Sequence, residues 1–305
     1  MKRLPQIALL PDGKRLHLQD GPIDLVIGAS GNEGEVRAAY EAAARRFNGL
    51  LDELCEELIE LRKAADPACS ALRGVVARRM HAAVAPFAVG HFITPMAAVA
   101  GSVAEEILGA MLDVARLDRA YVNNGGDIAL HLTGAEQFAV GLMDRPDRRG
   151  VMQTIYIEAG DPARGIATSG RRGRSFSLGI ADAVTVLAKT ASQADAAATV
   201  IANAVDLPGH PGIVRLPANE LQPDSDLGAR LVTRAVGALG ESEIDDALSA
   251  GVGRAQQLLA AGLIEGAALR LLGETAVVGS TGIRASALPA SRGSAGSRSA
   301  CLERG

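Results

Sequence analysis

Side chains able to bind a polar ligand cluster between Asn123 and Asp127, where the sequence reads Asn-Asn-Gly-Gly-Asp. Two amides and a carboxylate place hydrogen-bond donors and acceptors on either side of two glycines. Paired glycines in a strand pattern are typical of a bulge, or of backbone that closely approaches another group. The alternative is a hairpin turn with polar flanks. In either case Asn123, Asn124, Gly125, Gly126 and Asp127 are candidate binding residues.

A carboxylate and a hydroxyl lie one helical turn apart at Asp195 and Thr199, separated only by alanines. Residues i and i+4 of a helix face the same way, and the small alanines leave space above them. Such oxygen ligands suit Mg²⁺, which also retains water or phosphate oxygens. The alternative is structural, with the aspartate meeting the helix dipole and the threonine bonded to its own backbone.

Two hydroxyls precede a glycine in the sequence Ala-Thr-Ser-Gly, which ends at Gly170. Thr168 and Ser169 would lie at a strand end, in a loop that holds a phosphate or a ring amide, or in an ordinary turn. Two arginine-rich loops could add an anion-receiving rim for a diphosphate, or be plain solvated surface. Their members are Arg145, Arg148, Arg149, Arg171, Arg172 and Arg174.

A helix rich in small residues is expected to begin at Pro95, with Thr94 as its candidate N-cap. Its first-turn amide groups would suit a phosphate, and small residues such as Ala98 would let a ligand approach closely. His91, in the preceding break, is the one histidine of interest as a site residue. The sequence has no Gly-Lys-Ser/Thr phosphate loop, no Gly-x-Gly-x-x-Gly after a strand, no nucleophile elbow and no His-rich metal motif.

The elements around these residues read as an antiparallel meander with packed helices, which is an α+β pattern. A small-residue helix beside β-hairpins occurs twice and suggests an internal duplication. The predicted helices cover residues 33–63, 71–86, 96–116, 192–205, 227–239 and 241–261. The predicted strands cover residues 7–10, 15–18, 23–28, 121–132, 137–143, 152–158, 166–168, 175–178, 183–188 and 268–278.

The composition is that of a soluble globular protein, with 305 residues of which 48% are hydrophobic and 22% charged. We expect one domain over residues 1–282 and a mobile low-complexity tail over residues 283–305. A net charge of −4 and 3% aromatic content argue against nucleic-acid binding. We expect no membrane span, because no apolar run reaches about 20 residues. Three cysteines without zinc-site spacing, and no signal peptide, favour a cytoplasmic location.

Taken together, these segments resemble the ApbE-like superfamily, whose best-known members are FAD:protein FMN transferases. That family carries a Gly-Ala-Ile-Ala-Lys-Gly-type helix entry, an Asn-x-Gly-Gly-Asp/Glu strand, an Ala-Thr-Ser-Gly loop and an Asp-Ala-x-Ala-Thr helix. The matching stretches here occur in the same order, and the resemblance extends over about residues 92–205. They span residues 97–102, 123–127, 167–170 and 195–199.

The resemblance implies a duplicated α+β fold of the tunnelling-fold type, with antiparallel sheets packed by helices. It implies FAD or FMN bound between the Asn-Gly-Gly strand and the Thr-Ser-Gly loop, and Mg²⁺ held by Asp195, Thr199 and a backbone oxygen near Ala98. The expected function is flavin or nucleotide binding with Mg²⁺-dependent FMN transfer or FAD diphosphate cleavage. A protein acceptor and a homo-oligomer are further partners left open.

Two departures from the family pattern keep other functions open. Gly101-Ser102 stands where the family has Lys-Gly, and the His-x-x-Asp-Pro-x-Thr-Gly segment that normally follows the Thr-Ser-Gly loop is missing. The chain therefore resembles a shorter cytoplasmic branch, and no catalytic residue is assigned. The alternatives are an accessory protein of sulfur and homocysteine metabolism that has lost turnover, or a structural homo-oligomer.

Overall fold

The computed structural model describes residues 4–143, 151–279 and 283–284. The strands in chain order are β1 (Gln6–Leu9), β2 (Leu16–Asp20), β3 (Ile23–Gly31), β4 (Leu117–Asn124), β5 (Asp127–Leu132), β6 (Gln137–Met143), β7 (Val151–Glu158), β8 (Gly165–Ser169), β9 (Ala183–Ala188), β10 (Ile213–Pro217), β11 (Leu231–Val236), β12 (Gly266–Leu271), β13 (Glu274–Val278) and β14 (Ile283–Arg284). Nine of them form one sheet in the order β1-β2-β3-β4-β5-β8-β9-β12-β13. Every neighbouring pair in this sheet is antiparallel.

Helices cover one face of this sheet, which we call the helix side. They are α1 (Glu33–Phe47), α2 (Leu50–Glu56), α3 (Leu58–Leu61), α4 (Val75–Val84), α5 (Val99–Leu112), α6 (Ala191–Ala204), α7 (Ala218–Leu221) and α8 (Glu241–Ala260), with 3₁₀ turns at Ala85–Phe87 and Pro95–Ala98. Successive strand residues point to opposite faces. In β3, Leu25 and Ile27 therefore share a buried cluster with Val103 and Ile107 of α5.

A smaller sheet packs on part of the opposite face, which we call the outer face. Its strand order is β14-β7-β6. Ile155 and Ile157 of β7 are buried in one cluster with Leu130 of β5 and Ile166 of β8. Strands β5 and β8 are thus covered on both sides, as expected for the centre of a sheet.

The order hairpin, helices, hairpin occurs twice along the chain. The first half runs from β2 and β3 through α1–α5 to β4 and β5, and the second from β8 and β9 through α6–α8 to β12 and β13. In each half the strand before the helices pairs with the strand after them. The halves are joined edge to edge, because β5 pairs with β8.

Within the described residues, one helical stretch is long and apolar enough to span a membrane by length and composition. It covers Pro95–Leu112, with a mean hydropathy of 1.3, and half of it is buried inside the protein. Its Glu105 and Glu106 form ion pairs with Arg79, and Glu106 also pairs with Arg46. Such packing and pairing are those of a core helix in a globular protein.

Several predicted elements differ from the structure. The helix expected over residues 33–63 is broken after α1, where Gly49 has a φ of 87°. The helix expected over residues 227–239 is wrong, because β-branched Val232 and Thr233 lie in β11, which pairs with β10. Residues 175–178 are not a strand.

The ends of the sequence also differ from expectation. The final strand predicted over residues 268–278 is a hairpin of β12 and β13, which turns at Leu272 and Gly273. Ile283 and Arg284 of the predicted tail pair with β7. The remainder of that tail, residues 285–305, lies outside the described residues.

Candidate functional site

The Asn-Asn-Gly-Gly-Asp segment forms the tight hairpin between β4 and β5, which is the hairpin-turn alternative of the sequence analysis. Gly125 and Gly126 have φ values of 67° and 116°, a region that favours glycine. The amide of Gly126 donates to Oδ1 of Asn123 at 2.8 Å. Asn124 and Asp127 face each other as the last cross-strand pair before the turn. The turn therefore holds an amide and a carboxylate side by side at one end of the sheet.

Strand alternation divides the predicted site residues between the two faces of the sheet. Asn124 is paired with Leu25 of the helix-side core, so Asn124 and its partner Asp127 lie on the helix side. Asn123 is paired with Val26 and lies on the outer face. The residues predicted to bind one ligand together therefore lie on both faces of the sheet. Asn123 is on the outer face, and Asn124 and Asp127 are on the helix side.

The helix-side half of the site depends on a close approach between α5 and α6. A Cβ at Gly101 would lie 2.3 Å from the carbonyl oxygen of Ala191, and a Cβ at Gly165 would lie 2.1 Å from the carbonyl of Thr190. Glycine at both positions lets the first turn of α6 lie against both α5 and β8. This contact brings Asp195 of α6 to the first turn of α5.

Asp195 and Asn124 both bind the beginning of α5. The amide of Gly101 donates to Oδ2 of Asp195 at 3.0 Å. Nδ2 of Asn124, which is 6% exposed, donates to the carbonyl oxygen of Ala100 at 3.2 Å. First-turn helix amides lack intrahelical partners, so the carboxylate of Asp195 caps α5 from a neighbouring helix.

Asp127 and Asp195 form an electrostatically coupled pair. Removal from water raises the pKa of Asp127 to about 7, against the opposing effects of a bond from the Thr168 amide (3.2 Å) and the charge of Arg174. Burial raises the pKa of Asp195 well above its ordinary value. The negative charge of Asp127 raises the pKa of Asp195 further, while the amides of Ala100 and Gly101 lower it. Two partly buried carboxylates that repel each other favour protonation of one of them or a bound cation.

The two predicted metal ligands have an oxygen-rich neighbourhood that fits Mg²⁺ in kind. Thr199 lies one turn beyond Asp195, and its hydroxyl lies 3.5 Å from the hydroxyl of Ser169. With the carboxylate of Asp127, these groups form a set of hard oxygen donors. Among the described residues no group of three or more His, Cys, Asp and Glu side chains gathers into a metal-binding cluster. A cation here would therefore also need hydroxyl, backbone, water or phosphate oxygens.

The remaining residues of the Ala-Thr-Ser-Gly loop have separate surroundings. Thr168 is exposed, and its hydroxyl lies 2.9 Å from that of Thr185 on the neighbouring strand. Gly170 has a φ of 141°, and a Cβ there would lie 2.7 Å from the carbonyl oxygen of Asp182. The backbone amide of Thr168, and not its hydroxyl, donates to Asp127. The loop therefore contacts the carboxylate pair through this amide.

Thr94 does not act as the predicted side-chain cap. Its hydroxyl donates instead to Asp226, and no side-chain capping bond is formed at the following 3₁₀ turn. Ala98 is buried at the junction between that turn and α5, two residues before the carbonyl that Asn124 binds. His91 is exposed in the preceding break.

The predicted arginine rim is largely engaged elsewhere. Arg171 and Arg172 both pair with Asp182, whose side chain is 2% exposed and accepts a bond from the amide of Leu272. This pairing attaches the loop after β8 to the β12–β13 hairpin. Arg174, in contrast, extends to the Gly125–Gly126 turn. The second predicted arginine loop, with Arg145, Arg148 and Arg149, lies outside the described residues.

A hollow of about 230 Å³ opens on the outer face beside the glycine turn. It is lined by Asp24, Val26, Asn123, Gly125, Gly126 and Arg174. The turn residues of this lining were predicted from the sequence, whereas Asp24 and Val26 were not. Asp24 stands inside the apolar run of β3, and a charged residue alternating with core leucines was the signal that this position faces outward.

Comparison with known proteins places the chain in a family. The model of the family described as AbpE bacteria matches residues 7–277. The chain therefore belongs to this ApbE-like family, which confirms the resemblance inferred from the four motifs.

Curated relatives are UPF0280 proteins of methanogenic and other archaea. The one from Methanococcoides burtonii is 37% identical over 154 residues, which cover 48% of this chain and 58% of that protein. The one from Methanopyrus kandleri is 39% identical over 140 residues, covering 42% and 48%. The chain thus matches about half the length of these relatives.

A solved structure, the apo form of the Pseudomonas stutzeri flavinyl transferase ApbE, aligns with 90% of this chain and 95% of its own. The TM-score is 0.45 and the sequence identity 10%.

Proposed function

We propose that this protein binds a flavin or a related nucleotide together with Mg²⁺, and that it cleaves the diphosphate of FAD or transfers its FMN half. The observation that carries the proposal is the convergence of Asn124, Asp127 and Asp195 at the first turn of α5. Family membership supports the same class of ligand. The repeated order of hairpin, helices and hairpin supports a duplicated tunnelling-fold architecture.

The proposed roles follow from the contacts of each residue. Asp195 and Thr199 would hold the metal, which when bound would neutralise charge on the diphosphate oxygens. Asp127 adds negative charge beside Asp195 and raises the affinity of that carboxylate for any cation. Asn124 fixes the first turn of α5 by its bond to Ala100, so that the carbonyl and amide groups there keep one orientation.

Release of AMP tests the proposed reaction. Purified protein is incubated with FAD and Mg²⁺, with and without a mixture of candidate acceptor proteins, and AMP is measured by chromatography. We expect AMP from the wild type and at least about tenfold less from Asp195→Asn, which loses the charge while keeping the side-chain shape. If neither AMP nor flavin-labelled protein forms under any of these conditions, both the proposed transferase activity and the proposed cleavage activity are rejected.

A second function, an accessory protein without turnover, is favoured by one specific contact. Gly101 occupies the place of the family lysine, and its amide already binds Asp195. On this alternative Asp195 stabilises the junction of α5 and α6, and an Asp195→Asn protein would still rescue the growth defect of a deletion strain. Loss of rescue by a variant that is folded and expressed at the wild-type level would contradict it.

A further inference from the structure

The exposed side chain of Arg174 lines the hollow on the outer face and makes few hydrogen bonds to the described residues. Nη2 of Arg174 donates to the carbonyl oxygen of Pro22 at 3.2 Å, a long contact. Within the described residues no carboxylate lies within ion-pair distance of Arg174, whereas Arg171 and Arg172 both pair with Asp182. A guanidinium carries five N–H donors, so most of its donors remain available to a ligand.

The glycine turn is shaped around this guanidinium. A Cβ at Gly125 would lie 2.7 Å from Nη1 of Arg174, so a larger residue would displace the charged group. At Gly126, in contrast, a Cβ would meet nothing within 4 Å. The space above Gly126 is therefore open to a ligand in the hollow.

The other polar groups of the hollow differ in chemistry from Arg174. Asp24 lies in the same lining, and its Oδ1 is 2.9 Å from Nε2 of His17. Asn123 uses its Oδ1 to accept the amide of Gly126. Val26 adds an apolar surface to the lining. The hollow thus combines one cation with a carboxylate and an amide side chain.

We propose that Arg174 binds a phosphoryl oxyanion of the ligand in this hollow, while Asp24 accepts hydrogen bonds from hydroxyl or N–H groups of the same molecule. The assignment rests on the proposed function for the identity of the ligand as a flavin or nucleotide. A planar guanidinium presents paired donors that match two phosphate oxygens. A phosphoryl group bound by Arg174 would lie on the outer face beside the glycine turn.

Calorimetric titration of the full-length protein tests the assignment with four probes: FMN, riboflavin, inorganic pyrophosphate and malonate. The variants are Arg174→Gln, Arg174→Lys and, as a matched control, Arg254→Gln, a partly exposed arginine of α8 that does not line the hollow. We expect Arg174→Gln to weaken FMN and pyrophosphate binding at least about tenfold and to leave riboflavin binding unchanged, because riboflavin lacks the phosphoryl group. Arg174→Lys should retain an intermediate affinity, and the control should match the wild type.

The outcomes separate this inference from the proposed function. If the protein binds pyrophosphate in a way that depends on Arg174 but binds no flavin, the phosphoryl site is supported and the proposal that the ligand is a flavin is rejected. Equal FMN and pyrophosphate affinity in wild type and Arg174→Gln overturns the inference, as does equal loss of riboflavin and FMN binding. Dependence on Arg174 for malonate alone would also overturn it, since the site would then select a carboxylate. Circular dichroism confirms that each variant is folded before titration.

Discussion

At the scale of single residues, the most informative feature is a pair of carboxylates that the fold holds together at a cost. Asp127 and Asp195 come from a strand and from a helix far apart in the sequence, and each is partly buried. Costly charge arrangements of this kind are concentrated at functional sites.

The raised pKa of Asp127 gives a pH dependence with a defined sign. Because its pKa is about 7 in the folded protein and near 3.8 in the unfolded chain, the folded state binds the proton more tightly in that window. The stability of the metal-free protein should therefore fall as the pH rises from about 4 to about 7. We predict that Asp127→Asn removes this loss. The free energy of unfolding of the variant, measured relative to wild type, should therefore be higher at pH 8 than at pH 5.

Urea unfolding at both pH values, with EDTA present, measures this difference. Asp113→Asn, at an exposed aspartate after the last turn of α5, is the control, and its stability relative to wild type should be the same at both pH values. A difference between Asp127→Asn and wild type that is independent of pH would contradict the raised pKa.

The residues of the site could be predicted from the sequence. Which of them lie next to one another in the folded protein could be predicted only in part. The motif spacing identified Asn124, Asp127 and Asp195. Their bonds to Ala100 and Gly101 depend on helix packing, which no local pattern encodes. The engagement of Thr94 by Asp226 was likewise invisible, since its partner lies 132 residues further along the chain.

At the scale of elements, the site depends on how closely α5 and α6 approach each other. The contact passes through Gly101, where a Cβ would lie 2.3 Å from a backbone oxygen of Ala191. Glu105 of α5 also accepts the amide of Ser192 at 2.6 Å, which fixes the first turn of α6. These bonds set the position of Asp195.

We predict that Gly101→Ala separates the two helices and lowers the free energy of unfolding by about 1–3 kcal/mol, the usual cost of forcing a carbon into a filled space. The same change at Gly109, in the same helix, is the matched control, because a Cβ there would meet nothing within 4 Å. Gly109→Ala should stabilise the protein by about 0.5–1 kcal/mol through helix propensity.

Chemical denaturation of both variants measures the two opposite signs. If Gly101→Ala were as stable as Gly109→Ala, the close packing of α5 on α6 would be wrong. Lower affinity for Mg²⁺ in Gly101→Ala, beyond its loss of stability, would further link this contact to the position of Asp195.

The helices and hairpins with clear local signals were predicted well. The helix predicted over residues 192–205 agrees with α6 to within one residue at each end, and the strands predicted over residues 7–10 and 15–18 overlap the paired strands β1 and β2. Errors arose where tertiary pairing decides the structure. Leu231–Val236 forms a strand only because β10 lies beside it, and a left-handed Gly49 divides an otherwise continuous helical pattern.

At the scale of the whole molecule, two similar halves share one sheet. They meet through the β5–β8 pair and through the contact of α5 with α6. The candidate site lies at this junction, since Asp127 belongs to the first half and Asp195 to the second. A ligand bound there would stabilise the association of the halves.

We predict that residues 1–282 unfold as one cooperative unit, because each half would lose buried surface and the α5–α6 contact without the other. Differential scanning calorimetry should show a single transition with equal calorimetric and van't Hoff enthalpies. Two resolved transitions would mean that the halves are separate domains, and the prediction of one domain would fail.

The family and the α+β class could be predicted from the sequence, because four short motifs occur in order along a chain with alternating strand and helix patterns. The division of the site by the sheet could not. Asn123 and Asn124 are adjacent in sequence and lie on opposite faces, a consequence of strand geometry once the register is fixed. The hollow lined by Asp24 and Arg174 could not be predicted either. It depends on the register of β3 with β4 and on the course of the long loop between β8 and β9.

The central claim is that the carboxylates at the first turn of α5 bind a divalent cation together with a flavin dinucleotide. The most direct measurement is the melting temperature of wild type and Asp195→Asn at pH 8, each with EDTA, with Mg²⁺, with FAD, and with both. We predict that FAD and Mg²⁺ together raise the melting temperature of the wild type more than the sum of their separate effects, and that Asp195→Asn loses this excess. An equal response in both proteins, or no response in either, would contradict the account.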